Sequence, residues 1–380
     1  MSTPMTPPSG SPLDEHVENE IELKEVEGLS QGQIVRRRFF RHKGAILGLI
    51  MLGLTTLLAL TSVGVGPLPG WWQWTPYETP SVVDAGRPSM SLPTWLGGTG
   101  FAIGEHPFGQ DEIGRDIFAR VMAGVQTSLM VMVVIGTVSA VIGIAVGAAS
   151  GFLRGRSDTV LMRLTDLVIT VPTIVIGAVV GKIAGGVSGL VFAIAMGLIL
   201  WTTLARLVRG EFLSLREREF VDAARVAGAS NMRIIFKHIL PNAIGTVIVS
   251  VTLLMSSAIL LETGLSFLGF GIQPPEVSLG QLISQYQQAF ATRPWLFWWP
   301  GMFIVVIALS INFIGDGLRD AFDPRQKRIP SERKMAKAME ADGSAARAAR
   351  STGSGSTGSG STGSGSNGAA SNGAAAEPAL

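Results

Sequence analysis

The sequence predicts an all-α polytopic membrane protein, a helical bundle of about six transmembrane helices. Three observations predict it. Only 15% of the 380 residues are charged, against 47% hydrophobic, where a soluble domain carries nearer a quarter charged. The charges sit in clusters, and long stretches between the clusters contain none. Several of those stretches reach the roughly 20 apolar residues that a helix needs to cross a hydrocarbon core of about 30 Å.

Residues 1–35 read as a polar leader, acidic from Asp14 to Glu27, with too little apolar periodicity to hold a fold. The first apolar run begins near Gly44 behind this leader. A secretory signal places its apolar core close to the N-terminus, so this run reads as a retained span. The cluster Arg36, Arg37, Arg38, Arg41 and Lys43 beside it reads as a topological anchor.

Span 1 covers 44–65. Span 2 lies within 125–152, because no charge occurs between Arg120 and Arg154. Span 3 covers 161–181, span 4 183–205, span 5 242–261 and span 6 294–315. With the loop 206–241 they make up a transmembrane domain over 36–325. Pairs four apart, Gly44 and Gly48 or Gly143 and Gly147, let helix backbones approach closely. The stretch 66–124 is rich in Pro, Gly and Trp (Trp71, Trp72, Trp74, Trp95). It is either a cap over the outer mouth or an interfacial loop. Residues 326–380 form a low-complexity tail, with Ser-Thr-Gly-Ser-Gly repeats from Ser351, that behaves as a flexible coil.

With the N-terminus inside, 25 of the 30 Lys and Arg residues fall on the inner side of these spans. The positive-inside bias therefore places both termini in the cytoplasm.

The chain has no cysteine, which excludes a disulfide framework, a thiolate nucleophile and a Cys-ligated zinc. The formal charge of +2 gives no global basic field for nucleic acid. His16, His42, His106 and His238 are far apart and show no metal-ligand spacing. The run from Gly177 to Lys182 is not a phosphate loop. Its glycine spacing is one short, and Ile183 stands where Ser or Thr must meet magnesium. Only Asp166 and Glu262 approach the apolar belt, both near span ends. An ion relay needs more, which lowers the standing of a secondary transporter. The chain reads as non-catalytic, with no cofactor or metal of its own.

The loop 206–241 is the most informative segment. Leu215 to Ala227 reads as a helix with mixed charges, ended by Gly228. Ser230 or Asn231 caps a second helix, Met232 to Leu240, which Pro241 closes. Ala223, Ala224, Ala227 and Gly228 give the first helix a slim face suited to a partner's cleft. The residues alone leave open whether this is a docking element or a solvated hairpin.

The run Glu219-Phe-Val-Asp222-Ala223-Ala224-Arg-Val-Ala-Gly228, followed by Leu240-Pro241, resembles the EAA loop of ABC importer permeases. Asp222 stands for that family's leading Glu, and His238 where an aliphatic residue is common. The segment from His106 to Asp116 is similar to the one before span 2 in dipeptide and oligopeptide permeases of the second-subunit type. Leu265 to Gly269 with Pro274-Pro275, and Gly315 to Asp320 with Asp323-Pro324-Arg325, resemble two further segments of those permeases. The resemblance runs from about Arg36 to Arg325. Gln126 and Leu279 depart from it, standing where many relatives carry Arg and Trp.

The resemblance implies the type I permease fold of ABC importers. It implies a heterodimer with a second permease subunit, two ATP-binding subunits that bind ATP and Mg, and an extracytoplasmic substrate-binding protein. It places Glu219, Asp222, Ala223, Ala224, Gly228, Leu240 and Pro241 in the ATPase-coupling segment. It puts the chain in the bacterial plasma membrane, multi-pass and in contact with lipid, as half of a pore for di- or oligopeptides. Import of nickel or another small solute, a stand-alone secondary transporter, and a membrane scaffold are the alternatives.

Overall fold

The computed structural model describes residues 31–91, 100, 102–183 and 188–322. The leader up to residue 30, Trp95 and the tail over 326–380 lie outside the described residues.

Helix α1, Gln31–Phe39, carries Arg36, Arg37 and Arg38 in its last turn. Helix α2, Lys43–Ser62, is capped by His42, whose Nδ1 accepts the Ala45 N–H at 3.0 Å. A two-stranded antiparallel hairpin follows, β1 (Gly64–Val65) with β2 (Leu68–Pro69). Helix α3 runs Ile117–Leu153, α4 Gly155–Thr170 and α5 Thr173–Ile183. Then come α6 (Gly189–Arg216), α7 (Glu219–Val226), α8 (Asn231–Phe267), α9 (Leu279–Tyr286) and α10 (Trp295–Phe322). Among the described residues, α2, α3, α6, α8 and α10 are long and apolar enough to cross a membrane. The bent pair α4–α5 is a sixth when taken as one span.

Three expectations need correction. The third span, expected unbroken over 161–181, is broken between α4 and α5 and bent by 78°. Pro172 explains the break: it has no N–H to donate and its ring displaces the preceding turn, so Val171 is extended at φ −86°, ψ 126°. Helix α3 starts at Ile117, about two turns before the expected 125, because Asp116 caps it through the Ala119 N–H at 2.7 Å. Helix α6 runs on to Arg216, so 206–216 is helix and not loop.

The bundle is centred on α3 packed against α6. Gly143, Gly147 and Gly151 form a ridge on α3 that faces Leu204, Ala205, Val208 and Phe212 of α6. A Cβ on Gly147 would lie 2.5 Å from the Ala205 carbonyl oxygen and 2.7 Å from Val208 Cβ. Gly48 does the same for α2 against α10, where a Cβ would lie 2.5 Å from the Ser310 carbonyl oxygen. Gly48, Gly143, Gly147 and Gly151 therefore set interhelical distance, as small residues do in membranes, whereas Gly44, expected to pair with Gly48, faces only the His42 side chain. Gly177 and Gly181, in the run that superficially resembled a phosphate loop, are buried positions of α5. A Cβ on Gly177 would meet Leu265 Cδ1 at 2.5 Å.

The described part of 66–124 is a cap over the starts of α3 and α10. Trp72 Nε1 donates to Asp116 Oδ1 at 3.1 Å, and His106 Nδ1 lies 2.7 Å from Asp116 Oδ2. Trp74 stacks on His106, and Phe108 stacks on Trp299 at 3.9 Å between centroids. Burial pushes the Asp116 carboxyl up from its ordinary value, against hydrogen bonds that pull it down. Gln126, in place of the expected Arg, donates through Nε2 to the carbonyls of Ala59 (2.6 Å) and Gly64 (2.9 Å). It thereby ties α3 to the end of α2. Leu279 is fully buried in the cluster beneath the cap.

Candidate functional site

The segment between α6 and α8 is built on a charged collar. Arg209 Nε and Nη2 donate to Asp158 Oδ1 and Oδ2 at 2.6 and 2.8 Å. Asp158 also accepts the Ser150 hydroxyl, so α3, α4 and α6 meet at one carboxylate. Arg206 pairs with Asp166 at 2.6 Å and Arg154 with Glu217 at 2.6 Å. Arg216 Nη1 donates to the Phe152 carbonyl, and its guanidinium sits over the Phe152 ring at 5.5 Å. Charges that looked like loop residues in the sequence therefore hold the end of α6 onto the ends of α3 and α4.

Helix α7 starts immediately beyond this collar. Glu219 and Asp222 occupy its first turn, where negative charge suits the helix dipole. Both are exposed, and Asp222 pairs with Arg225 at 3.1 Å. The helix ends in a Schellman motif. The Gly228 N–H donates to the Arg225 carbonyl at 2.9 Å and the Ala229 N–H to the Ala224 carbonyl at 3.0 Å. Gly228 has φ +79°, the left-handed region that glycine adopts without a Cβ penalty. The first loop helix is therefore Glu219–Val226, shorter at its start than the expected Leu215 to Ala227.

The helix does not present the expected slim face as one surface. Val221 and Ala224 point into the bundle and join a buried cluster with Phe152, Val208, Phe212, Ile234 and Ile239. Ala223, Ala227 and Gly228 remain outward. Spacing explains the split: Val221 and Ala224 are three apart and share one helical stripe. The outward surface also carries Val226, 91% exposed, with Phe220, Met232 and Phe236 exposed nearby in sequence. Sequence reasoning passed over these four. Their signal was an apolar residue out of phase with the inward stripe.

The second loop helix was expected to end at Pro241. It does not end there. From Asn231 the chain is helical through a π-helical turn at Ile234–Ile239 and continues unbroken to Phe267. The Leu240 N–H donates to the Ile235 carbonyl, one residue further back than in an α-helix. Pro241 lacks an N–H, and the widened turn accommodates its ring. Leu240 is half-buried against the cluster below α7, and Pro241 is exposed. His238 is half-buried, and its carbonyl accepts from Asn242 Nδ2 at 2.6 Å.

At the other end of the bundle, Glu262 is buried and hydrogen-bonded. It accepts the Ser266 hydroxyl at 2.7 Å and the Ser128 hydroxyl at 3.3 Å. Ser128 in turn accepts the Leu279 N–H at 3.3 Å, which ties α9 to α3 and α8. Asp166, the second charge expected near the apolar belt, is half-exposed in its pair with Arg206.

Comparison with known proteins places the chain in a family. The family model for the inner membrane component of binding-protein-dependent transport systems matches residues 139–328, which include the collar, α7 and α8. The model for the N-terminal transmembrane domain of oligopeptide transport permease C matches residues 30–83. The oligopeptide transport system permease protein OppC of Haemophilus influenzae is 37% identical over 313 residues, covering 82% of this chain and 94% of that protein. The protein of the same name from Mycobacterium bovis is 37% identical over 304 residues, covering 79% and 97%. A chain of the inward-facing MetNI methionine ABC transporter is 20% identical, covers 54% of this chain and 96% of its own, and gives a TM-score of 0.45. On the family match and these long alignments, the chain belongs to the inner membrane components of binding-protein-dependent transport systems.

Proposed function

We propose that the chain is the permease subunit of a peptide-importing ABC transporter and lines half of its pore beside a second, different permease subunit. The relatives' names, oligopeptide transport system permease, support the substrate class. On this reading ATP and Mg are bound by two partner ATPase subunits, and an extracytoplasmic binding protein delivers the peptide. The permease domain is 36–325, between a polar leader and a low-complexity tail. The charge bias supports an orientation with both termini, and α7, on the cytoplasmic side.

One observation carries the coupling role. Helix α7 is short, exposed on one face and wedged on the other by Val221 and Ala224 against the ends of α3, α6 and α8. A push on its outer face is transmitted to spans and not absorbed by a loose loop, which is what rigid-body motion requires. Glu219, Asp222, Ala223 and Gly228 form the exposed contact to the ATPase. Ala224, Leu240 and Pro241 position it. Exposed ion pairs are each worth about 0–1 kcal/mol, so apolar shape at Val226 and its neighbours contributes most of the contact.

The test is capture of the intact complex from membranes, followed by uptake of a panel of di- and oligopeptides and nickel chelates by the reconstituted assembly. Co-purification of two ATPases with peptide uptake is the expected result. Uptake of nickel alone would move the chain to the metal importers of the same family. A chain that transports without any ATPase would overturn the reading.

A further inference from the structure

We propose that a cavity at the start of α3 is a binding site for a carboxylate group, of the kind carried by the C-terminus of a short peptide. The peptide as source rests on the import reading above; the carboxylate chemistry stands on the site alone.

The cavity has a volume of about 480 Å³ and lies among the start of α3, the segment after α8, and α9. Pockets that hold small molecules run from about 300 to 1,000 Å³, so it has room for the end of a peptide and not for a folded chain. It lies at the opposite end of α3 from the collar, a helix of 37 residues or roughly 55 Å. Arg115, Arg120, Glu276, Gln281 and Gln285 line it.

Arg120 is the unusual member. It is 3% exposed. Its Nη2 donates to Gln285 Oε1 at 3.0 Å, and its Nε has no hydrogen-bond partner. Among the described residues no carboxylate forms an ion pair with it. The other charges at the cavity are already engaged. Arg115 is paired with Asp111 at 2.6 Å, and Asp111 also accepts the Tyr286 hydroxyl at 3.0 Å. That hydroxyl stays protonated, since burial pushes its pKa well above the ordinary value. Glu276 accepts the Gly189 N–H at 2.7 Å.

Asp111 lies near enough to favour the Arg120 charge, but it is already shared between Arg115 and the Tyr286 hydroxyl; a buried cation compensated only from a distance is unfavourable. A carboxylate supplies both the missing charge and the missing acceptor, and the planar guanidinium is shaped to take it. The second orphan in the wall complements the first. Gln281 is 7% exposed and its Oε1 accepts no hydrogen bond. It suits an N–H donor beside the carboxylate, as the last amide of a peptide provides. Charge and polarity thus match a peptide C-terminus better than chloride or sulfate, which have no donor for Gln281.

The experiment is calorimetric titration of the full chain in lipid nanodiscs with three probes: trialanine, trialanine with an amidated C-terminus, and acetate. The expected result is saturable binding of trialanine, with at least tenfold weaker binding of the amide. Arg120→Gln should weaken trialanine at least tenfold. Gln281→Leu keeps the arginine in place and should weaken trialanine while leaving acetate unchanged. It decides the matter if Arg120→Gln fails to fold. Equal binding of acid and amide overturns the proposal, as does no binding of trialanine at millimolar concentration. Acetate as strong as trialanine keeps the carboxylate site and overturns the peptide source. If no free probe binds but Arg120→Glu abolishes capture of the extracytoplasmic binding protein, the site holds a partner's side chain and the proposal falls. Uptake separates this inference from the import reading. Unchanged peptide uptake by Arg120→Gln removes the site and keeps the reading. A chain that binds carboxylate in a complex that imports no peptide does the reverse.

Discussion

Arg209 and Asp158 form a two-point ion pair, 2.6 and 2.8 Å, that fastens α6 to α4 one helical segment away from α7. Both side chains are partly shielded, at 34% and 19% exposure. Asp158→Asn should therefore destabilise the chain by about 1.5–3 kcal/mol, the range for hydrogen bonds to charged groups. Thermal melting of the solubilised protein measures this. Arg209→Lys should retain only part of the pair's contribution, since lysine cannot reproduce the two-point geometry. A melting curve identical to wild type for Asp158→Asn would remove the collar's structural role.

Gly228 holds its turn through its backbone conformation. A Cβ there meets open space, yet φ is +79°. Gly228→Val should abolish transport while leaving membrane insertion intact, because a β-branched residue resists the left-handed region. Gly228→Asn should retain much of the activity, since Asn tolerates that conformation. Wild-type uptake and normal ATPase co-purification by Gly228→Val would count against docking through this turn.

Val226 tests the contact itself. It is 91% exposed at the last turn of α7. Val226→Glu should leave melting within about 0.5 kcal/mol of wild type, as surface changes do. It should reduce recovery of the ATPase subunits in a pull-down several-fold. Undiminished recovery would place the contact elsewhere on the segment.

Gly147 tests the ridge between α3 and α6. The nearest atoms to an added Cβ are backbone and β-carbon, which have little room to move. Gly147→Leu should cost about 1–3 kcal/mol or more through overpacking and lower the yield of folded protein on size-exclusion chromatography. Gly210, whose added Cβ meets nothing, is the control, and Gly210→Ala should behave as wild type.

Glu262 tests the tie between α8 and α9. Glu262→Gln keeps one acceptor oxygen, for Ser266 or Ser128, turns the other position into an amide donor, and should cost less than full removal. Glu262→Ala leaves those buried hydroxyls unmatched, at about 1–3 kcal/mol for each group. Proteolytic nicking after α8 should rise in the alanine variant alone. Equal resistance in both variants would show that α9 is held without this network.

Charge-free runs located α2, α3, α6, α8 and α10 because the bilayer tolerates little charge, and glycine spacing located the close contacts of α3. The ends of the spans were harder to read. Arg120 and Arg206 looked like limits of their runs. They are inside helices because Gln285 and Asp166 receive them, and those partners are 165 and 40 residues away. The break at Pro172 was open to inspection but stood inside an apolar run long enough to cross. Pro241 misled in the other direction, since a π-helical turn is a response to tertiary packing that no local pattern announces. Ala224 looked like part of an outward face until Ile234 and Val208 claimed it.

The π-helical turn at Ile234–Ile239 has a consequence for phase. One surplus residue rotates everything downstream by about 100° relative to a regular helix. The side of α8 that meets α10 and the side that meets α7 are therefore indexed separately, as two gears on one shaft are keyed at different angles. Shortening the turn by a single residue would leave every remaining side chain chemically intact and turn the membrane half of the shaft out of mesh with the half packed beneath α7.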